Sequence, residues 1–320
     1  MRTLPKTYGL IAAVFTPLDS QGRLVLDGIE EYASFLEADG VQGVFVAGTT
    51  GESLSLRTEE RKALAAAWVE SAKGRLRVMV HVGHNCLDEA QELAEHAQAV
   101  GADAVSAMPP CFFRPADLED LTAWCAAIAQ AAPQSPFYYY HIPSMTGASF
   151  PMIEFIGRAV EKIPNFAGIK FTHEDLAEYQ ACLRWGQGAL DILFGRDELL
   201  LSALRVGALG AVGSTYNFAA PLYQAIIQAY RQGDFPQAER LQQEACRIID
   251  LCRASGGHVL AAFKSLMDWV GVPCGPFRPP VRNLTPQQQQ HLRQVLAGTC
   301  SIHWWQQRKN RSLVRGKKAD

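Results

Sequence analysis

The stretch GVFVAGTTGESLSLRTEERKALAAAWVESAKGRLRVMVHV, residues 43–82, contains the unit from which the fold is read. It opens with an apolar, β-rich run, Gly43 to Ala47, and closes with another, Arg77 to Val82. Between them lies a helical pattern from Thr58 to about Lys73. Thr58 is placed to cap its N-terminus, Glu59 and Glu60 suit its positive end, and Gly74 stops it. Leu64, Trp68 and Ala72 recur at i, i+4 and form its expected buried stripe. Strand, helix and second strand in this spacing make a parallel βα unit.

The alternation extends in both directions. Further strands are expected at Leu10 to Phe15, Ala104 to Ala107, Pro136 to His141, Ala167 to Lys170, Ile192 to Phe194 and Gly210 to Gly213. Eight strands is the number that closes a (β/α)8 TIM barrel, and a span of roughly 230 residues is near its usual size. An open doubly wound sheet is the alternative, but no G-x-G-x-x-G follows the first strand to support it. Past Gly233 the pattern is purely helical: Asp234 to Ala254, Gly257 to Val270, and a third helix from Thr285. Pro286 sits in the first turn of that last helix, Gln287 to Gln290 form a polar face, and Gly298 is expected to end it. The expected organisation is a catalytic barrel over 1–233, a C-terminal helical extension over 234–300 and a basic, disordered tail over 301–320. The tail holds six Lys/Arg and one Asp and is read as a solvated segment.

Composition sets outer bounds. The chain has 320 residues, 48% of them apolar, which excludes a disulfide-stapled module and a disordered chain. Lys+Arg total 30 against 32 Asp+Glu, so the balance points to no nucleic-acid partner. No apolar run approaches the roughly 18 residues of a membrane span, so no membrane partner is expected. Met1 to Leu10 lack an apolar signal core. The eight cysteines form no Cys-x-x-Cys pair, as free thiols in a reduced cytoplasm would be. His81 and His84 lie close in sequence without a second ligand pair, so they are read as a strand-end and a loop histidine and no metal site is expected.

In such a barrel, chemistry sits at the C-terminal ends of the strands. Lys170 lies in the run Ala167-Gly168-Ile169-Lys170-Phe171. A lysine there either snorkels or sits in a dry site, where the neutral, nucleophilic amine is favoured. Phe137 to Pro143 contain three tyrosines; Tyr138 and Tyr140 share one side, for core packing or to present a phenol to a substrate. Gly48-Thr49-Thr50-Gly51-Glu52 ends the second strand, either as a plain turn or with N–H groups and hydroxyls suited to a carboxylate or phosphate. Gly195-Arg196-Asp197-Glu198 ends the seventh strand and Gly213-Ser214-Thr215-Tyr216-Asn217 the eighth. The paired acids either hold sugar hydroxyls or open the next helix; Arg196 has no assignable role.

Five such signals, each at an expected strand end, resemble the pyruvate-dependent class I aldolase family of N-acetylneuraminate lyase and dihydrodipicolinate synthase. The resemblance covers Gly9 to about Gln294 and is strongest to the sialic-acid-cleaving branch, through Tyr138 to Pro143, Gly168 to Phe171 and Gly213 to Asn217. It implies that Lys170 forms a Schiff base and Tyr140 relays protons. It implies that Thr49 and Thr50 bind a pyruvyl carboxylate, and that Thr172, Gly195, Asp197, Glu198 and Ser214 line the sugar side. The implied reaction is retro-aldol cleavage of N-acetylneuraminate to N-acetylmannosamine and pyruvate, without metal or organic cofactor. The implied assembly is a homotetramer. Two departures set the chain apart from the synthase branch: Cys111-Phe112-Phe113 lacks the tyrosine pair lent to a neighbouring subunit, and Pro143 to Thr146 lack its arginine. An aldolase for another 2-keto acid and a catalytically silent binding member of the family are the alternatives.

Overall fold

A computed structural model describes residues 6–299. The basic tail 301–320 and its expected disorder lie outside the described residues, as do Met1 to Pro5. Eight parallel strands form a closed barrel in chain order: β1 Gly9–Ala13, β2 Gly43–Val46, β3 Arg77–His81, β4 Ala104–Ala107, β5 Phe137–His141, β6 Phe166–Phe171, β7 Asp191–Phe194 and β8 Gly210–Gly213. Closure comes from β1 and β8, which pair from Gly9↔Gly210 to Ala12↔Gly213. The open doubly wound alternative is thereby excluded.

The helices around the barrel are α1 Ile29–Ala38, α2 Thr58–Ala72, α3 Leu87–Ala99, α4 Leu118–Ala131, the single turn α5 Pro143–Thr146, α6 Met152–Lys162, α7 Leu176–Arg184, α8 Leu200–Arg205 and α9 Tyr216–Arg231. Three more follow: α10 Phe235–Arg253, α11 Val259–Val270 and α12 Pro286–Thr299. α10 packs on α9, and α11 packs on α9 and α10. Asp234 caps α10 by accepting from the Gln237 N–H at 3.0 Å, and His258 caps α11 by accepting from Leu260 N–H at 3.2 Å.

Two expected helix ends need correction. Thr58 does not cap α2. It is the first helical residue and its hydroxyl donates to Glu89 of α3, while the Glu60 carboxylate accepts the N–H of Arg57 at 2.9 Å and closes the turn. Gly298 does not end α12, which continues to Thr299. Leu64, Trp68 and Ala72 are buried on α2 as their spacing predicts.

Side-chain alternation creates two cores. Ile11, Phe45, Met79, Tyr138, Tyr140, Leu193 and Val212 fill the barrel interior. Val44, Val80, Tyr139, Ile169 and Phe194 face outward into the larger core beneath the helices. β6 breaks the alternation. Against β5 the register jumps from Phe137↔Phe166 to Tyr138↔Gly168, leaving Ala167 as an extra residue. This bulge shifts the phase: Ala167 faces inward, Ile169 outward, and Lys170 comes opposite Tyr140. Gly168 is required there, since a Cβ on it would lie 1.8 Å from the Asp191 carbonyl oxygen.

Candidate active site

Lys170 lies on β6 with 4% of its surface exposed. Its Nζ sits 3.5 Å from the centroid of the Tyr140 ring and 4.5 Å from that of Phe45. Both rings come from neighbouring inward positions on β5 and β2. Among the described residues no carboxylate lies within salt-bridge distance of this amine. Burial holds its pKa well below the ordinary lysine value, against the opposing pull of the Asp197 carboxylate. The snorkelling alternative is thereby excluded, since the amine is not carried to the surface.

Tyr140 stands between the lysine and the β2 loop. Its phenol oxygen is 3.1 Å from Thr49 Oγ1, within hydrogen-bond reach. Burial pushes the phenol up to about 12, while the hydroxyls of Thr49 and Thr172 pull it back. The group is therefore protonated at neutral pH and able to donate. The His81 ring lies 5.6 Å from the Tyr140 ring, edge to face. Its Nδ1 bonds to the Ala47 carbonyl at 2.9 Å and its Nε2 accepts from Met108 N–H at 3.4 Å. These partners assign the neutral tautomer with the proton on Nδ1, and burial depresses its pKa to match. His81 thus serves as a wall of the site, as its strand-end position predicts, and His84 lies in the loop beyond β3.

The β2 loop is held in a tightly defined shape. Ala47 (φ 53°) and Glu52 (φ 62°) adopt left-handed backbone at its two ends, at a cost on the order of 1 kcal/mol each. Thr50 Oγ1 lies 2.7 Å from Ser214 Oγ, which joins the ends of β2 and β8. Thr16 donates to the Gly51 carbonyl at 2.7 Å.

The opposite wall comes from β6, β7 and β8. Asp197 is buried; its Oδ2 accepts from the Thr215 N–H at 2.9 Å and the Thr215 hydroxyl at 2.6 Å. Burial raises this carboxyl to about 6 despite those bonds. Gly195 lets the chain pass Thr172 closely: a Cβ there would lie 2.0 Å from Thr172 Oγ1. A cleft of about 160 Å³ is lined by Gly195, Arg196, Asp197, Glu198, Ser214 and Arg253, with apolar walls from α10 and α11. The structure thus brings Lys170, Tyr140, Thr49, Thr50, Thr172, Gly195, Asp197 and Ser214 to one end of the barrel, with Glu198 at the rim of this cleft.

Two features of the rim are absent from the sequence reading. Glu198 is engaged by Arg253 of α10, 55 residues later, and more weakly by Arg196 at 3.8 Å. Arg196 also pairs with Glu174 at 3.4 Å, which assigns it to the rim. The i, i+3 relation of Arg253 to Asp250 reads in sequence as an ordinary surface pair, so no local signal marks its second partner.

A closed parallel (β/α)8 barrel with one dry, unpaired lysine on an inner strand face has the architecture of a class I aldolase. More particularly, the chain belongs to the dihydrodipicolinate synthetase family, whose sequence profile matches residues 6–298. It is 41% identical over 280 residues to N-acetylneuraminate lyase A of Xenopus laevis, covering 85% of this chain and 90% of that one. It is 41% identical over 281 residues to N-acetylneuraminate lyase of Homo sapiens, covering 87% and 88%. The fold is similar to that of an N-acetylneuraminate lyase (sialic acid aldolase) from Aliivibrio salmonicida, with TM-score 0.89, 41% identity, and coverage of 92% and 97%.

Proposed function

We propose that this protein is a carbon–carbon lyase that cleaves N-acetylneuraminate to N-acetylmannosamine and pyruvate through a Schiff base on Lys170. The observation that carries the reading is the state of that amine: buried, unpaired, poised over Tyr140 and depressed in pKa. A neutral amine is the form that adds to a ketone. The identity of relatives at about 40% over most of the chain supports the substrate.

In the proposed sequence, the C1 carboxylate of open-chain sialic acid rests on the Gly48 to Gly51 loop with the hydroxyls of Thr49 and Thr50. Lys170 Nζ adds to C2, and the former ketone oxygen departs as water, giving an iminium. The cation draws in the electrons of the C3–C4 bond as the C4 hydroxyl proton is removed. Tyr140, linked to Thr49 and adjacent to the substrate carboxylate, relays that proton. The amino sugar leaves as an aldehyde, the enamine takes a proton at C3, and water releases pyruvate and the free lysine. The iminium serves as the electron sink, so the scheme uses neither metal nor organic cofactor. Thr172, Gly195, Asp197, Glu198 and Ser214 face the polyhydroxyl end of the substrate.

The reading extends to a homotetramer in a reduced, cytoplasmic compartment, with a catalytic unit over 1–233 and a helical extension over 234–300. Phe112 and Phe113, 77% and 83% exposed and packed edge to face at 4.8 Å, support a covering partner copy. Buried thiols outside any disulfide at Cys125, Cys182 and Cys274 support the compartment. No helix among the described residues is long and apolar enough to cross a membrane.

The test is pyruvate release from N-acetylneuraminate and a panel of other 2-keto acids, with borohydride trapping in parallel. Wild type is expected to release pyruvate from N-acetylneuraminate and to be inactivated by borohydride with pyruvate; Lys170→Ala is expected to do neither. Turnover by Lys170→Ala would end the mechanism, and turnover of a different 2-keto acid alone would end the substrate assignment.

A further inference from the structure

Among the described residues, one buried ion pair has no place in the scheme above. Glu52 and Lys264 form an ion pair at 2.8 Å, with side chains 2% and 1% exposed. Glu52 is two residues past Thr50 and is the left-handed residue that ends the β2 loop. Lys264 belongs to α11, 212 residues further along the chain. The contact therefore ties the β2 loop to the helices that follow the barrel.

The pair is fully satisfied. Lys264 Nζ also donates to the Pro276 carbonyl at 2.8 Å, and Glu52 Oε2 accepts the Arg278 N–H at 2.8 Å. The Arg278 side chain then closes the arrangement from the other side. It grips Glu60 through two bonds of 2.6 and 2.7 Å and donates to the carbonyls of Gly22 and Ser55. The 276–278 segment thus crosses the short turn Ser53–Ser55 and fastens both ends of it.

A buried ion pair is weak evidence for stability, because removing two charges from water offsets most of their attraction. What such a pair supplies is geometry, since a charge left without its partner in a dry interior is strongly disfavoured. The β2 loop has need of it. Its ends carry non-glycine left-handed residues, a conformation that persists only where surrounding structure imposes it. Thr49 and Thr50 are already fastened to Tyr140 and Ser214 on the interior side. Glu52 is the fastening on the exterior side.

We infer that Glu52 and Lys264 are positioning residues for carboxylate recognition: the α11 lysine, with the 276–278 segment, holds the Gly48 to Gly51 loop in the shape that receives the substrate carboxylate. The inference rests on the Schiff-base reading of Lys170 and the carboxylate reading of the loop. It makes the C-terminal helices part of substrate selection, though none of their residues here touches the reacting atoms.

A comparison of two ketones tests it. Pyruvate and acetone can both form an iminium with Lys170, but only pyruvate has a carboxylate for the loop. The rate of borohydride inactivation is measured with each at subsaturating concentration, in wild type, Lys264→Met and the double variant E52Q/K264M, all as full chains. Lys264→Met keeps the apolar stem; the double variant leaves no buried charge unpaired and carries the test if the single variant fails to fold. Thermal unfolding confirms the folded state at the assay temperature. The expected result is a fall of about ten-fold or more with pyruvate, the order of one charge-assisted hydrogen bond, with the acetone rate within about two-fold of wild type. An equal loss with both ketones would assign the pair to the fold alone, and no loss with either would show that the loop needs no such fastening; each overturns the inference. Failure of wild type to be inactivated with either ketone would instead overturn the Schiff-base reading, and this inference with it.

Discussion

Tyr138 and Tyr140 stand two residues apart on one face of β5, yet their hydroxyls point to opposite ends of the barrel. Replacing each by phenylalanine removes the same atom and should have opposite consequences. The Tyr138 hydroxyl donates to Asp191 at 2.9 Å and accepts from Arg77 at 3.2 Å, in a buried cluster completed by Thr7 at the N-terminal end of the strands. Bonds to charged groups contribute about 1.5–3 kcal/mol each. Asp191 keeps its two bonds from Thr7, so Tyr138→Phe should cost roughly 2–3 kcal/mol. For a chain of this size that lowers Tm by roughly 3–5 °C. The Tyr140 hydroxyl meets only neutral hydroxyls, so Tyr140→Phe should cost about 1 kcal/mol or less in stability. Its rate of pyruvate release should fall by about 10²–10⁴, the loss of a proton relay, while Lys170 remains trappable. Calorimetry and a coupled pyruvate assay on the two variants give four numbers. If Tyr140→Phe retains a kcat within about ten-fold of wild type, or Tyr138→Phe loses more activity than stability, the division of labour on β5 is wrong.

The depressed Lys170 amine sets a pH dependence. The neutral form exists above its folded pKa, so the trapping rate with pyruvate should rise with pH only up to a point well below 10.5 and then level. A rate that climbs log-linearly to the ordinary lysine value would contradict a dry amine. Gly168→Ala should fail to give native protein, since the new methyl would meet the Asp191 carbonyl at 1.8 Å in the middle of the sheet. Native-like unfolding of that variant, measured by circular dichroism, would show that the bulge on β6 relaxes.

The strands were legible because each is a short apolar run bounded by polar loops, and their observed ends fall within two residues of the expected ones. Lys170 and Tyr140 were legible for a related reason: a polar group inside such a run demands an explanation. The bulge at Ala167 was not. Strict alternation along 166–171 gives no hint that the phase changes, and only pairing with β5 reveals it. Nor does local sequence disclose the partners of Glu52 and Glu198. Lys264 and Arg253 lie on amphipathic helices, where a cation ordinarily reads as solvated, and their carboxylates are 212 and 55 residues away. Thr58 failed as a cap because Glu60 already served the turn, freeing the hydroxyl for a neighbouring helix.

Closure of the barrel through β1 and β8 has a consequence for how the molecule is made. About 200 residues separate Gly9 from its partner Gly210. At a ribosomal rate of roughly 5–20 residues per second, the first strand waits on the order of 10–40 s for its neighbour to be synthesised. Through that interval the nascent sheet keeps two open edges, the state most exposed to intermolecular pairing. The loop around Thr49 waits longer still, until Lys264 and Arg278 have emerged. On the inference drawn above, competence is a late event of translation: a chain truncated after β8 would close its barrel without the contacts that Lys264 and Arg278 make to Glu52.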